Sequence, residues 1–284
     1  MRRPSGRAAF VVAGAAAGAL ILVVAVVRPF SPGSPVAWAR LGTEDVHSLA
    51  FAPGSTERLY FGHHGGILQT RDGGRTWTPL PVNADAMGMR PASDGSIVIA
   101  GHEVFVGSSD GGQTWAPIAA DLPNIDIHAF ARDPLDPRRI WAYLAEGGVY
   151  ESADGGSHWT KVYDGHIPFM AATTDGSSVG LVGIEPFSGF ARSADGGRTW
   201  SPVSQPEAFP TYSIAATRDG RVVALGVSEG VLRSEDGGTT WTTIALPSPA
   251  FAIALSDDGQ SIAVVTRTTD VYRSGDGGRT WPGP

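Results

Sequence analysis

Seven histidines, four methionines and no cysteine set the chemistry open to this 284-residue chain. Thiolate catalysis, disulfides and Cys-ligated metals are excluded by the missing sulfhydryls. His47, His63, His64, His102, His128 and His166 fall in the neighbourhood of Met87, Glu103, Glu146, Glu185 and Glu229, with Asp121, Asp126 and Asp164 between them. Imidazoles joined by a carboxylate or a thioether can hold a transition metal. The same groups can bind a polar ligand or move protons near neutral pH. Polar loops also accumulate His and Glu that only bond locally, so convergence is the deciding question. It depends on the elements that carry these residues.

Those elements repeat. An eight-residue cassette occurs six times, as TRDGGRTW at 70–77, SSDGGQTW at 108–115, SADGGSHW at 152–159, SADGGRTW at 193–200, SEDGGTTW at 234–241 and SGDGGRTW at 274–281. The closing tryptophans, Trp77, Trp115, Trp159, Trp200, Trp241 and Trp281, are 38, 44, 41, 41 and 40 residues apart. Between cassettes lie four short apolar or alternating runs with Gly, Pro and Asp punctuation and no helical spacing. Four strands per period of about forty residues describes a propeller blade. The last cassette is followed only by three residues, while VAWARL at 36–41 has the look of a post-cassette strand with no cassette before it. The expected fold is therefore all-β: a six-bladed β-propeller of four-stranded blades over 36–284, with the N-terminal strand completing the sixth blade and removing a sheet edge.

The cassettes resemble the Asp box, S-x-D-x-G-x-T-W, of BNR-repeat propellers, a family that includes sialidases and many non-enzymatic proteins. Thr70 and His158 are the departures, replacing the opening Ser and the Thr before the Trp. The residue types have a structural use. Asp72, Asp110, Asp154, Asp195, Asp236 and Asp276 can accept backbone N–H bonds inside a tight turn. The second Gly supplies a positive φ, and the Trp buries a large apolar area. Six copies at six places on a ring share no point of convergence, so the cassettes read as joinery.

Strand alternation then sorts the loops. If the cassettes lie on one face, the loops between blades and the turns between second and third strands lie on the other. His47 and His128 begin the innermost strands of blades 1 and 3, and Met87 begins that of blade 2. His63 and His64 end the second strand of blade 1; His102, followed by Glu103, ends that of blade 2. His166 lies in the loop into blade 4, and Glu146, Glu185 and Glu229 occupy equivalent turns of blades 3, 4 and 5. All six of these histidines map to the face opposite the cassettes; His158 alone does not. His47, His64, His102 and His128, from three adjacent blades, are the foremost candidates for a ligand or transition-metal site.

The N-terminus differs in kind. Residues 1–7 form a basic tail, and 8–27 are twenty uncharged residues, the length a membrane helix needs. Arg2, Arg3 and Arg7 precede this span and Arg28 follows it, which orients the tail to the cytoplasm. The expectation is a signal anchor, a Pro/Gly tether at 28–35 and an extracytoplasmic propeller on a single-pass membrane protein; AWA at 37–39 leaves a cleaved signal peptide as the rival. Without the four arginines up to residue 28, 17 basic side chains face 28 acidic ones, a balance of −11. Nucleic acid is excluded as a partner by that charge.

Two functions follow. The chain is also similar to propellers of the photosystem II assembly-factor type, which implies a binding or assembly module for a protein, glycan or small ligand; those usually have seven blades. Resemblance to BNR proteins equally implies a glycoside hydrolase, with carboxylates drawn from Glu103, Glu146, Glu185 and Glu229. A typical sialidase is not expected. The R-I-P motif is missing, and seven arginines flank cassettes (Arg71, Arg75, Arg192, Arg198, Arg233, Arg273, Arg279).

Overall fold

The computed structural model describes residues 33–206 and 210–284. The basic tail, the apolar span 8–27 and most of the tether lie outside the described residues. Six four-stranded antiparallel sheets make up the rest. Blade 1 comprises Ser48–Phe51, Leu59–His63, Gly66–Thr70 and Thr78–Pro79, paired in that order from the inside outwards. Blades 2 to 5 repeat the plan, their inner strands being Gly88–Pro91, Ile127–Arg132, Phe169–Thr174 and Thr211–Ala216. In blade 6, Ala250–Leu255, Ile262–Thr266 and Asp270–Ser274 are joined by Ala39–Arg40 as the outermost strand. The six inner strands pack on one another in sequence, and the last packs on the first, so the array is a ring.

Burial explains the sequence pattern. Second strands such as Ile97–Gly101, Ile140–Leu144 and Val223–Val227 are buried along their whole length, because each blade is covered on both faces by its neighbours. They accordingly read as continuous apolar runs. Outer strands such as Thr78–Pro79 and Ala116–Pro117 are exposed, and their sequences are polar or contain Pro. The core is divided into six clusters, one per seam between blades. At the seam of blades 6 and 1, Leu49, Leu59 and Phe61 meet Ala252, Val265 and Val271. Ala39 and Leu41 join that cluster, while Trp38 N donates to Val271 O at 2.8 Å.

Each cassette forms the same turn. In the second copy Asp110 Oδ1 accepts the backbone N–H groups of Gln113 and Thr114, both at 2.9 Å, and Oδ2 accepts the Thr114 hydroxyl at 2.6 Å. Ser108 Oγ donates to the same aspartate and accepts from Gly112 N. Thr70 takes the serine role without loss, its hydroxyl donating to Asp72 at 2.7 Å. Five of the six tryptophans donate Nε1–H to the carbonyl of the second cassette glycine; Trp241 donates to Ser204 Oγ instead. Trp77, Trp115 and Trp159 pack into the clusters between their own blade and the preceding one.

These bonds have an acid–base consequence. The Thr114 and Thr240 hydroxyls and backbone N–H groups push Asp110 and Asp236 down to about 2. A depressed carboxyl contributes stability above its unfolded value near 4, and that contribution is lost only as pH falls through the folded value. His158 shows the opposite sign. Its Nδ1 stands 2.6 Å from Asp154 Oδ2, in the place of the threonine hydroxyl, and this bond raises the imidazole above its ordinary 6.5. Its contribution is present below 6.5 and fades as pH rises through the raised value. Titration followed by NMR is expected to place His158 above an exposed histidine, and Asp154→Asn to return it to the ordinary range. A His158 that titrates at 6.5 in the unsubstituted protein would contradict the turn geometry.

Candidate functional site

Three loops bring the candidate residues together, each leading into an inner strand. The loop before Ser48–Phe51 carries Asp45 and His47, that before Gly88–Pro91 carries Asp85 and Met87, and that before Ile127–Arg132 carries Asp126. His128 is the second residue of that third inner strand. The second strands return to the same edge with His63, His64 and His102. Backbone contacts fix this arrangement. Ala86 N donates to His63 O at 3.2 Å, Ser48 Oγ donates to Ala86 O at 2.7 Å, and His102 forms a single β-bridge with Asp126. Gly62 and Gly101 are required by that closeness: a Cβ at Gly101 would lie 2.4 Å from Asp85 O, and one at Gly62 would lie 2.5 Å from Ala86 O. Neither backbone can withdraw without breaking the seam.

Across blades 1 to 3 the side chains form a continuous arc of imidazoles and carboxylates. His64 Nδ1 bonds Asp45 Oδ2, and its backbone N donates to Asp45 Oδ1 at 2.9 Å. His47 Nε2 lies 3.3 Å from His64 Nδ1, 3.6 Å from Asp45 Oδ1 and 3.5 Å from Asp85 Oδ1. Asp85 Oδ2 takes His102 Nδ1 at 2.9 Å. Beyond it, Asp126 Oδ1 is 3.6 Å from His102 Nε2 and 3.1 Å from His128 Nε2. Three overlapping groups of ligand atoms result: Asp45–His47–His64, His64–Asp85–His102 and His102–Asp126–His128. Asp85 is only 9 % exposed, and its Oδ1 has no hydrogen-bond partner.

Burial and charge split the imidazoles. His47 is lowered from its ordinary value because desolvation outweighs the attraction of Asp85 and Asp45. His64 is raised, chiefly by its bond to Asp45. Partial burial by itself would raise Asp45, but the backbone and ring bonds from His64 together with the charges of His47 and His64 hold it low. Burial thus favours a neutral imidazole at His47, and the bond to Asp45 a protonated one at His64.

The other predicted residues lie apart from the arc. His63 turns the other way, stacks on Phe61 at 5.9 Å and is lowered by burial. His166 bonds the Tyr143 hydroxyl at 2.7 Å. Glu103 has φ +55 and an exposed side chain, and Glu146 and Glu229 are exposed. Glu185 caps its own turn by accepting Phe187 N and Ser188 N. None of the four glutamates lines the axial cavity described next, whereas Met87 does, beside His47 and His128. The cassette residues Asp72, Asp154, Asp195 and Asp276 are occupied by their own turns.

Sequence reasoning passed over Asp45 and Asp85. A signal existed: Asp45-x-His47, Asp85-x-Met87 and Asp126-x-His128 recur 40 and 41 residues apart, on the same period as the cassettes. Also missed was an aromatic wall. Starts of the inner strands line a cavity of about 310 Å³, with His47, Met87 and His128 on blades 1 to 3 and Phe169, Tyr212 and Phe251 on blades 4 to 6. Tyr212 and Phe251 pack with ring centroids 4.4 Å apart and planes tilted by 34°. The ends of the same strands line a second cavity of about 510 Å³ with Arg132 and Arg218. Arg90 borders both cavities, and burial pushes its guanidinium down to about 10.

No protein-family model and no curated protein matches the chain. Solved structures do, as β-propellers. A GH74 xyloglucanase from Xanthomonas campestris superposes with a TM-score of 0.58 at 21 % identity, over 87 % of this chain and 46 % of its own. The chain therefore spans about half the length of that enzyme. YCF48 bound to a D1 peptide gives 0.57 at 18 % identity, over 83 % of this chain and 95 % of its own. YCF48 from Cyanidioschyzon merolae gives 0.54 at 20 %, over 87 % and 88 %. At these identities the likeness carries the fold alone.

Proposed function

We propose that this chain is a membrane-tethered, extracytoplasmic binding or assembly module that works through the histidine-lined mouth of its ring. One observation carries the reading: the 310 Å³ cavity has the imidazoles of His47 and His128 with Met87 on one side and the rings of Phe169, Tyr212 and Phe251 on the other. Such a pairing of stacking surfaces with a few convergent polar groups is what ligand sites offer. Asp85 strengthens it, since a buried carboxylate oxygen left unpaired is costly in a site with no use for it. The cassettes are read as Asp boxes with a structural role, and pairing of Ala39–Arg40 with the last blade is read as closure of the ring by the N-terminal strand. The uncharged span 8–27 and its flanking arginines supply the anchor and the orientation. A propeller neighbour solved with a peptide bound supports a polypeptide as one class of occupant; a glycan or small ligand would use the same groups.

A glycoside hydrolase is the second reading, favoured by two carboxylates at one imidazole. Asp45 and Asp85 approach His47 Nε2 to 3.6 and 3.5 Å, and a pair of carboxylates is what glycosidases use. Affinity capture from envelope extract, with glycan-array binding alongside, tests the first reading. Wild type and Arg218→Ala, a change at the opposite mouth, should retain the same partner or glycan. Tyr212→Ala and His128→Ala should retain at least ten-fold less. Equal retention by all four would remove this mouth from consideration. Release of reducing ends from xyloglucan or other glycans that disappears in Asp85→Asn would replace binding with hydrolysis.

A further inference from the structure

We propose that Asp45, His47, His64 and Asp85 form a binding site for one divalent transition-metal ion of the Zn²⁺ or Cu²⁺ class, at the seam of blades 1 and 2. Tetrahedral bonds of about 2.1 Å put neighbouring ligand atoms about 3.4 Å apart. His47 Nε2 is 3.3, 3.6 and 3.5 Å from His64 Nδ1, Asp45 Oδ1 and Asp85 Oδ1. The ligand atoms of Asp45, His47 and His64 lie within 4.8 Å of one another, and Asp85 Oδ1, at 3.5 Å from His47 Nε2, is the fourth donor, brought in from blade 2. Once the ion displaces the His64 proton, two neutral imidazoles and two carboxylates balance a dication, and imidazole selects zinc, copper or nickel over calcium and magnesium.

The independent observation is Asp85. It is nine-tenths buried, its Oδ1 faces His47, and that oxygen has no hydrogen-bond partner. A metal ion supplies the missing charge. Its other oxygen is held by His102 Nδ1 at 2.9 Å, which fixes the carboxylate from behind as outer-shell partners of metal ligands do. Asp45 is placed by the backbone N of His64 at 2.9 Å, so His64 fixes the carboxylate that shares the ion with it. His102, Asp126 and His128 continue the arc outside the proposed ligand set.

The inference deepens the reading of this mouth as the working surface and rests on it for its use. It is tested on the untagged full chain, stripped with EDTA and dialysed separately against ZnCl₂, CuCl₂ and CoCl₂. One equivalent of zinc or copper should be retained, and the cobalt form should show the intense visible bands of four-coordinate Co²⁺. His47→Ala and Asp85→Asn should each weaken retention at least 100-fold, with His166→Ala unchanged. Thermal unfolding of each variant in EDTA separates lost ligands from lost fold. No retention by wild type overturns the proposal, and so does retention that survives His47→Ala but is lost in His128→Ala. Partner capture repeated in EDTA keeps the two readings apart. Capture without any metal uptake sinks the ion alone; metal uptake with capture indifferent to Tyr212→Ala and His128→Ala sinks the binding face alone.

Discussion

Gly238→Ala is expected to destabilise the ring by about 3 kcal/mol, lowering the thermal midpoint by roughly 6–12 °C. Gly238 has φ +88, and a Cβ placed there would lie 2.0 Å from Phe190 Cε1. Phe190 is fully buried at the seam of blades 4 and 5, packed by Val182, Leu225 and Trp241. The ring cannot retreat without emptying the seam, so the variant suffers both the left-handed backbone and the collision. Gly155→Ala provides the comparison. Its φ is +84, yet a Cβ would meet nothing within 4 Å. It should cost about 1–2 kcal/mol, the backbone contribution alone. Calorimetry of the two variants measures the difference directly. Equal losses would mean that the seams between blades yield easily, contrary to the close packing of Phe190.

Trp141→Ala should cost about 3–5 kcal/mol, the range for truncating a large buried aromatic. Trp141 is fully buried between blades 3 and 4, and its Nε1–H donates to Gly196 O at 3.0 Å. Gly196 belongs to the cassette turn of blade 4, so one indole fills a seam and pins the neighbouring turn. Truncation opens a cavity and leaves a carbonyl unpaired. Trp141→Phe keeps most of the apolar contact and should lose the hydrogen bond, about 1 kcal/mol, plus the volume difference. Urea unfolding with an unchanged m-value for both variants separates these contributions. A Phe variant as weak as the Ala variant would assign the stability to the hydrogen bond and not to the packing.

Fold and site were not equally legible. The cassette turn is encoded within eight residues: Asp110 satisfies the N–H groups of Gln113 and Thr114, and Gly112 sits at φ +90. Repetition of that local unit at a steady interval, with four strands between copies, was enough to specify blades. His158 shows how tolerant the code is, because an imidazole nitrogen replaces a hydroxyl on the same carboxylate. Histidines at the ends of strands could be assigned to one edge of the ring by alternation alone.

What the chain could not disclose locally was which neighbours each side chain meets across a seam. His63 and His64 are adjacent, yet one stacks on Phe61 and the other bonds Asp45, because the strand ends between them. Asp85 depends on two blades at once: His47 from one and His102 from its own. Phe169, Tyr212 and Phe251 read as ordinary strand-start residues until ring curvature turns all three toward the axis. Sequence by itself determined the repeating unit, since turns and strands arise from contacts a few residues long. Tertiary structure alone decided the arc and the wall facing it, since those distances are set by the angle at which whole blades pack.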